Sequence, residues 1–352
     1  MKTRILIILK KREDYMEKHH KNIGLSTGLY NSALFIHEML HKINIVSKLV
    51  VVNDNNDIDR EVTLFKPTHV IIEALWVVPP KFEILHKLHP TVKWIIRLHS
   101  EIPFIANEGN AMNWVGEYVK LKNVYVAANS DVMLKDVSIY TQTEMQWTES
   151  ETEEKIIYLP NYYPQKYKNK KFDKSKDTID IGCFGAIRPL KNHLMQAISA
   201  VKFAEKIGKK LRFHINTGRL EQKGDSVYKN LKGLFDNLSA KGHELVNHEW
   251  TPRDEFLKIC ASMDMGMQCS FSETFNIVAC DIITEGVPLV GTKEIPWMND
   301  IFSANVTSSD SICFNLMLAY YFPKYNVRSN QRHLNRYTTK TSKVWLKYFT
   351  NN

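Results

Sequence analysis

Short, mostly apolar runs recur along this chain, one of them apolar at every position, and their spacing restricts it to one class of fold. Residues 5–9 read Ile-Leu-Ile-Ile-Leu, and further strand-like runs lie at 48–52, 68–72, 92–98, 123–127 and 155–159. A run with no polar face suits a parallel strand covered on both sides. Segments of helical periodicity, such as residues 28–40, lie between most of the runs. Strand–helix alternation at this spacing predicts parallel sheets with right-handed crossovers. The alternation pauses over residues 161–177, which carry six lysines: Lys166, Lys168, Lys170, Lys171, Lys174 and Lys176. Such a run is more often a solvated linker than a binding patch. Alternation then restarts, with strands at 180–185, 211–216, 263–267 and 287–291 and helices at 193–207 and 276–285. A length of 352 residues suits two domains, each with its own core.

The expected fold class is α/β, with two doubly wound parallel-sheet, Rossmann-like domains facing a central cleft. The first spans residues 1–165, a Lys-rich linker 166–178, the second domain 179–325, and a basic C-terminal helix 326–352 crosses back to the first. Ligands of such sheets bind at the carboxyl ends of strands. In the first domain those ends carry Lys10-Lys11-Arg12, Glu73 and Arg97-Leu98-His99-Ser100-Glu101. Glu73 and Glu101 are candidates for orienting an acceptor hydroxyl, or are members of ordinary ion pairs. Trp76 and Phe104 lie in strand-end loops and are candidates to stack or wedge, although core or rim packing is the commoner use of such aromatics.

Composition removes several classes. A hydrophobic share of 44% is ordinary for a globular chain and argues against disorder. No apolar run approaches the ~20 residues of a membrane helix. The N-terminal apolar run is shorter than the ~7–15 residues of a signal-peptide core. Five cysteines, Cys183, Cys260, Cys269, Cys280 and Cys313, are scattered and suggest reduced thiols in a cytoplasmic protein. No Asp-x-Asp pair closes a strand and His19-His20 lacks further ligands, so neither metal nor cofactor is expected.

The formal net charge of +9 suggests a polyanionic partner. Residues 324–352 contain no Asp or Glu, and Arg328, Arg332, Arg336, Lys340, Lys343 and Lys347 are spaced 4, 4, 4, 3 and 4 apart. On a helix they fall within ~120° of arc and run ~28 Å, the length of ~8 base pairs of duplex. Leu334, Trp345, Tyr348 and Phe349 fall on the other side. Duplex DNA is the expected partner of this stripe. A solvated face and a membrane-surface helix are the alternatives, with Asn330, Thr338 and Thr341 diluting the apolar side and the threonines weakening the helix.

Residues 272–290 read Ser-Glu-Thr-Phe-Asn-Ile-Val-Ala-Cys-Asp-Ile-Ile-Thr-Glu-Gly-Val-Pro-Leu-Val. An acidic residue, seven others, a second acidic residue, then Gly-x-Pro and an apolar strand resembles the donor motif of retaining GT-B glycosyltransferases of family 4. Similar proteins are encoded by large tailed bacteriophages, some of which glycosylate their own DNA. Supporting matches follow in family order: Gly24-Leu25-Ser26-Thr27-Gly28, Leu98-His99-Ser100, Leu159-Pro160-Asn161, and residues 184–192 with Gly185, Arg188 and Lys191. Ala186 stands where the family has Arg, Asp281 where it usually has Glu, and Asn276 where glycine is common.

The resemblance implies a GT-B fold and metal-independent transfer, with retention, from a nucleotide-diphosphate sugar, UDP-linked, to a hydroxyl. It places Gly28, Gly185, Arg188, Lys191, Glu273, Thr274, Phe275, Asn276, Ile277 and Asp281 at the donor, and His99, Lys191 and Glu273 at the chemistry. Charge developing on the leaving phosphate needs fixed cations. Lys191 supplies a point charge, Arg188 a fork, and the following helix its amide donors. Glu273 accepts from sugar hydroxyls and Asp281 holds the ribose, eight residues on and on the same side of one helix. Residues 216–219 and 248–250 are assigned to base selection by position. The expected acceptor is a hydroxymethylated base in phage DNA, flipped from the duplex in the host cytoplasm. A lipid-linked or surface polysaccharide acceptor, or a non-catalytic GT-B binding protein, are the competing readings.

Overall fold

The computed structural model describes residues 3–11 and 27–351. Gly24, Leu25 and Ser26 of the glycine loop, Arg12, and the His19-His20 pair lie outside the described residues. The chain divides into two compact units, Met1–Pro164 with Thr338–Asn352, and Gln165–Tyr337.

The first unit is built on six parallel strands: β1 (Arg4–Lys10), β2 (Val46–Val52), β3 (His69–Glu73), β4 (Lys93–Arg97), β5 (Val124–Ala128) and β6 (Ile156–Tyr158). Their order is β2-β1-β3-β4-β5-β6. Alternate residues of each central strand feed different cores. Leu6, Ile8, Val70, Ile72, Trp94 and Ile96 enter one, and Ile5, Ile7, Leu9, Ile71 and Ile95 the other. Two covered faces are the reason residues 5–9, 70–72 and 94–96 are apolar at every position. Each such side chain contributes about 1.5–3 kcal/mol by burial.

The second unit holds β7 (Thr178–Gly182), β8 (Lys210–Asn216), β9 (Glu244–His248), β10 (Met265–Gln268) and β11 (Leu289–Gly291). These strands are parallel, in the order β11-β10-β7-β8-β9. The sequence pattern does not announce β9. It is an edge strand, Glu-Leu-Val-Asn-His, with no fully buried position and therefore no apolar run. Strand order reverses between β1 and β3 and between β7 and β10, and ligands of open α/β sheets bind at such switch points.

Residues 161–177 form neither helix nor strand, but they are more than a solvated linker. The Lys168 amide donates to Thr284 O at 2.7 Å, its ammonium pairs with Glu285 at 2.8 Å, and Lys170 Nζ donates to Ala261 O at 2.6 Å. Thr284 and Ala261 lie in the last turns of the Ile277–Thr284 and Arg253–Ser262 helices. Carbonyls there lack intrahelical partners and carry the negative end of the dipole, which attracts lysine.

The C-terminal helix runs unbroken from Pro323 to Asn351. Asn326, Asn330, Leu334, Thr338, Thr341, Trp345 and Phe349 are buried along one side. Polar members of that side are pinned rather than orphaned. The Asn326 side chain bonds both the amide and the carbonyl of Leu289, at 2.8 and 2.9 Å. Asn330 Oδ1 accepts from Asn299 N at 3.0 Å, and Thr341 Oγ1 donates to Asn161 O at 3.1 Å. Packing of this kind overrides the weak helix propensity of the threonines. Arg328, Arg332, Arg336, Lys340, Lys343 and Lys347 are all exposed, and no carboxylate lies on the helix to neutralise them. All five cysteines are buried and free. Among the described residues, no helix is long and apolar enough to cross a membrane.

Candidate functional site

In the second unit, the segment after β7 passes through Gly185, whose φ of +117° strongly favours glycine. Its amide donates to Asn216 Oδ1 at 3.0 Å, tying the end of β7 to the end of β8. The short turn Pro189–Lys191 follows, and then the His193–Lys206 helix. Asn192 joins them in the left-handed region, with its amide donating to Cys269 O at 3.1 Å and Val306 O at 2.9 Å.

Lys191 Nζ donates to Glu273 Oε1 at 2.5 Å, and both side chains are largely enclosed. Asn276 Nδ2 donates to the same Glu273 oxygen at 3.0 Å and to Gln268 Oε1 at 2.9 Å. Asn276 Oδ1 accepts from Ala279 N at 2.8 Å and caps the Ile277–Thr284 helix. The departure from glycine at Asn276 is thereby explained: its φ is 62°, asparagine tolerates that region, and it adds a cap. Gln268 Nε2 reaches Phe184 O at 3.0 Å, which joins the ends of β10 and β7. Gly185, Lys191, Glu273 and Asn276 therefore gather at the switch point of this sheet.

The expected shared helix face of Glu273 and Asp281 is not what forms. The helix begins at Ile277, so Glu273 lies in the loop before it. Glu273 meets Lys191, whereas Asp281 is buried against Arg253 at 2.7 Å, on the helix Arg253–Ser262. Phe275 is a core side chain packed on Trp297 and Tyr337, and its carbonyl accepts from Trp297 Nε1 at 2.8 Å. Thr274 and Ile277 are half-buried beside it.

Arg188 pairs with Glu221 Oε2 at 3.1 Å, and Arg219 with Glu221 Oε1 at 2.5 Å, so one carboxylate clamps two guanidiniums. Backbone bonds from Ile187 N to Arg219 O and from Glu221 N to Ile187 O, at 3.0 and 2.9 Å, hold the loops together. A Cβ at Gly224 would meet Ile187 O at 2.0 Å, so this approach requires glycine. The Arg219 guanidinium lies 5.8 Å from the Trp250 ring centroid. Neither Glu221 nor Arg253 was singled out from the sequence, because no spacing rule links them to their partners. His193, first in its helix, is 1% exposed, and both ring nitrogens lack a hydrogen bond among the described residues. Burial, then the charges of Lys191 and Arg188, pull its pKa down to about 3.

In the first unit, Glu73 ends β3 opposite Arg97, which ends β4. Both side chains are fully buried. Arg97 NH1 donates to Glu73 Oε2 at 3.1 Å, Nε to Leu159 O at 2.9 Å and NH2 to Asn161 Oδ1 at 2.6 Å. His99 Nε2 bonds Glu73 Oε2. Burial would raise the Glu73 carboxyl, but Arg97 and His99 more than offset this and hold it below the usual range. Burial lowers the His99 pKa, Glu73 raises it and Arg97 lowers it, with a net downward shift. Glu101 is also buried and accepts from Ser130 Oγ at 3.3 Å. Trp76 Nε1 donates to Glu73 O at 3.1 Å, and Phe104 is half-buried in the short Ile102–Ile105 helix. Gly28 lies exposed in the first turn of the Thr27–Lys42 helix. The structural weight of Arg97 and Asn161 was not legible in the sequence. Among the described residues, no group of three or more His, Cys, Asp or Glu is placed to hold a metal ion.

No protein-family model matches this chain, and no curated protein matches it by sequence. Solved structures match its fold. A trehalose-6-phosphate synthase studied for glycosyl transfer with retention aligns with a TM-score of 0.68 at 11% identity, over 99% of each chain. A UDP-forming α,α-trehalose-phosphate synthase from Burkholderia xenovorans aligns at 0.67 and 11%, over 99% of this chain and 98% of its own. TarM of S. aureus, in complex with Fondaparinux, α-GlcNAc-glycerol and UDP, aligns at 0.58 and 15%, over 80% of this chain and 55% of its own. The two parallel-sheet units of this chain have the GT-B fold of these proteins.

Proposed function

We propose that this protein is a retaining glycosyltransferase that moves a sugar from a nucleotide-diphosphate sugar, UDP-linked, to a hydroxyl on a modified base in duplex DNA. The observation that carries the donor half is the gathering of Gly185, Lys191, Glu273 and Asn276 at the switch point between β7 and β10. A leaving diphosphate accumulates negative charge, and fixed cations with helix amides stabilise it without reorganising. Lys191 and the Arg188–Arg219 pair supply the cations. In the resting protein Glu273 and Glu221 pair with them and leave one positive charge in excess, so the donor enters by exchanging a carboxylate for a phosphate. Glu273 is then available to accept from sugar hydroxyls. The trehalose-phosphate synthases and TarM, whose structures share this fold, support a UDP-linked donor.

The acceptor half rests on the exposed cation stripe of the C-terminal helix, which runs ~28 Å, the length of ~8 base pairs of duplex. Such an enzyme would work in the cytoplasm, that of the host if it is phage-encoded. The second reading, a lipid-linked or surface polysaccharide acceptor, draws on the exposed rings of Tyr321, Phe322 and Tyr325 beside Lys324.

The test is incubation with duplex DNA containing 5-hydroxymethylcytosine and a panel of nucleotide sugars, followed by nucleoside mass analysis. A gain of one sugar is expected from wild type, falling about 10²–10³-fold in Lys191→Ala and in Glu273→Ala. Unchanged nucleoside masses with every donor would sink the DNA acceptor. Binding to anionic vesicles but not to DNA would favour the second reading. Full transfer and donor hydrolysis in both variants would remove the site assignment.

A further inference from the structure

A chain of polar side chains crosses three strands of the second unit and ends at the sheet edge that holds the donor site. Asp180 on β7 and Arg212 and His214 on β8 share one face of the sheet, and His248 closes β9 on that face, in register with Asn216. Asp180 Oδ1 meets Arg212 NH1 at 3.1 Å and His214 Nε2 at 2.8 Å. His214 Nδ1 lies 2.8 Å from His248 Nε2. The two imidazoles have centroids 5.1 Å apart and planes inclined by 19°, so they meet edge to edge nearly in one plane. The Phe184 ring packs against His248, and the His248 carbonyl accepts from Thr217 N at 3.0 Å.

The hydrogen positions follow from the charges. Burial would raise the Asp180 carboxyl, but the His214 ring, Arg212 and Lys176 more than offset this and hold it below the usual range. An ionised carboxylate only accepts, so His214 carries hydrogen on Nε2. Arg212 balances the Asp180 charge, while its other contact, Glu244 at 3.7 Å, lies largely in solvent. Burial, then His214 and Arg212, lower the pKa of His248. With both rings neutral, His214 Nδ1 accepts, His248 Nε2 donates to it, and His248 Nδ1 is a bare acceptor. That atom has no hydrogen-bond partner among the described residues, and His248 is half-buried.

We propose that His248 is a specificity-determining residue that reads the base of the donor nucleotide through Nδ1, and that Asp180 and His214 are positioning residues that fix which nitrogen it presents. The proposal deepens the transferase reading and rests on it for the presence of a nucleotide. The Gly185 amide donates to Asn216, and Asn216 lies in register with His248, so the three follow one another along the carboxyl edge of β7, β8 and β9. Neighbouring strands lie about 4.8 Å apart, which puts β9 about 10 Å from β7, a span that a nucleoside covers from its diphosphate. The opposite end of the sheet, beyond β11, is closed by buried Ile295, Trp297 and Met298. An acceptor at His248 matches the ring N–H of uracil. Cytosine has a lone pair at the same position, so two acceptors would face each other unpaired.

Calorimetry with UDP and with CDP is the test. Wild type is expected to bind UDP about 10–100-fold more tightly than CDP. His248→Phe keeps a ring and removes the acceptor, so UDP affinity should fall about 10-fold and the two nucleotides should bind within about 3-fold of each other. His214→Phe frees the His248 tautomer and should lose most of the preference. His214→Gln, whose amide donates to Asp180 and whose oxygen accepts from His248, should keep it. Nitrogen-15 spectra of the histidine rings near neutral pH, assigned with His248→Phe, should show hydrogen on His248 Nε2 and a bare Nδ1 whose resonance moves with UDP and not with CDP.

Hydrogen on His248 Nδ1 in wild type overturns the proposal even if no variant folds. So does an unchanged UDP preference in a folded His248→Phe, and so does wild type that binds UDP and CDP equally. A full preference in a folded His214→Phe overturns the positioning role. If wild type binds neither nucleotide, the donor reading itself fails and this proposal falls with it.

Discussion

Replacing His193 tests whether the turn that presents Lys191 carries a buried, unbonded imidazole. His193 is 1% exposed and neither ring nitrogen has a hydrogen-bond partner among the described residues. Leaving such polar atoms unpaired costs about 1–3 kcal/mol. Its pKa lies at about 3, because burial and then Lys191 and Arg188 oppose a third charge. In the unfolded chain the ring titrates near about 6.5. The unfolded state therefore takes up the proton first as pH falls. His193 stability is fully present above the unfolded value and is lost progressively below it, levelling off near the folded value. At about pH 5 the single-site linkage term is about 2 kcal/mol. His69, held at about 4 by burial and by Lys93, adds a loss of the same sign that the substitution leaves in place.

His193→Leu keeps the bulk and removes both polar atoms. Urea unfolding at about pH 8 and about pH 5 is the assay. At the higher pH the variant should be the more stable, by about 1–3 kcal/mol. On acidification it should lose about 2 kcal/mol less than wild type. A variant no more stable at pH 8, and losing as much as wild type by pH 5, would refute the argument. It would mean that the ring has a partner or is hydrated.

Two further outcomes follow from geometry. Gly224→Ala would push a methyl group into Ile187 O, 2.0 Å from its built position, and should cost about 1–3 kcal/mol. Because Arg188 and Arg219 are mounted on the same two loops, UDP affinity measured by calorimetry should fall as well. Wild-type values for both would show that the loops part freely. Reversing Arg328, Arg332 and Arg336 to Glu should weaken duplex binding and reduce the slope of log affinity against log salt by about 3. Unaltered affinity and slope would assign the stripe to solvent.

What the sequence by itself determined follows from which faces of each element meet water. Residues 5–9 sit between two cores, so an unbroken apolar run announced a parallel strand. The C-terminal helix keeps one face in water, so its cations repeat at helical spacing and their exposure was legible. The same signal fails at β9, an edge strand with no fully buried position, and in the lysines of 161–177, whose docking on helix ends leaves no period.

Only the tertiary structure decided which charges meet. Glu73 finds Arg97 across a strand pair, Arg97 finds Asn161, and Lys191 finds Glu273 across 82 residues of chain. The E-x7-D spacing suggested one helix face, yet the helix starts after Glu273 and gives its two carboxylates different cations. Periodicity reports contact with solvent, one element at a time. An ion pair depends on the ends of separate strands being brought to one sheet edge, and parallel crossovers set that register through packing far from either partner.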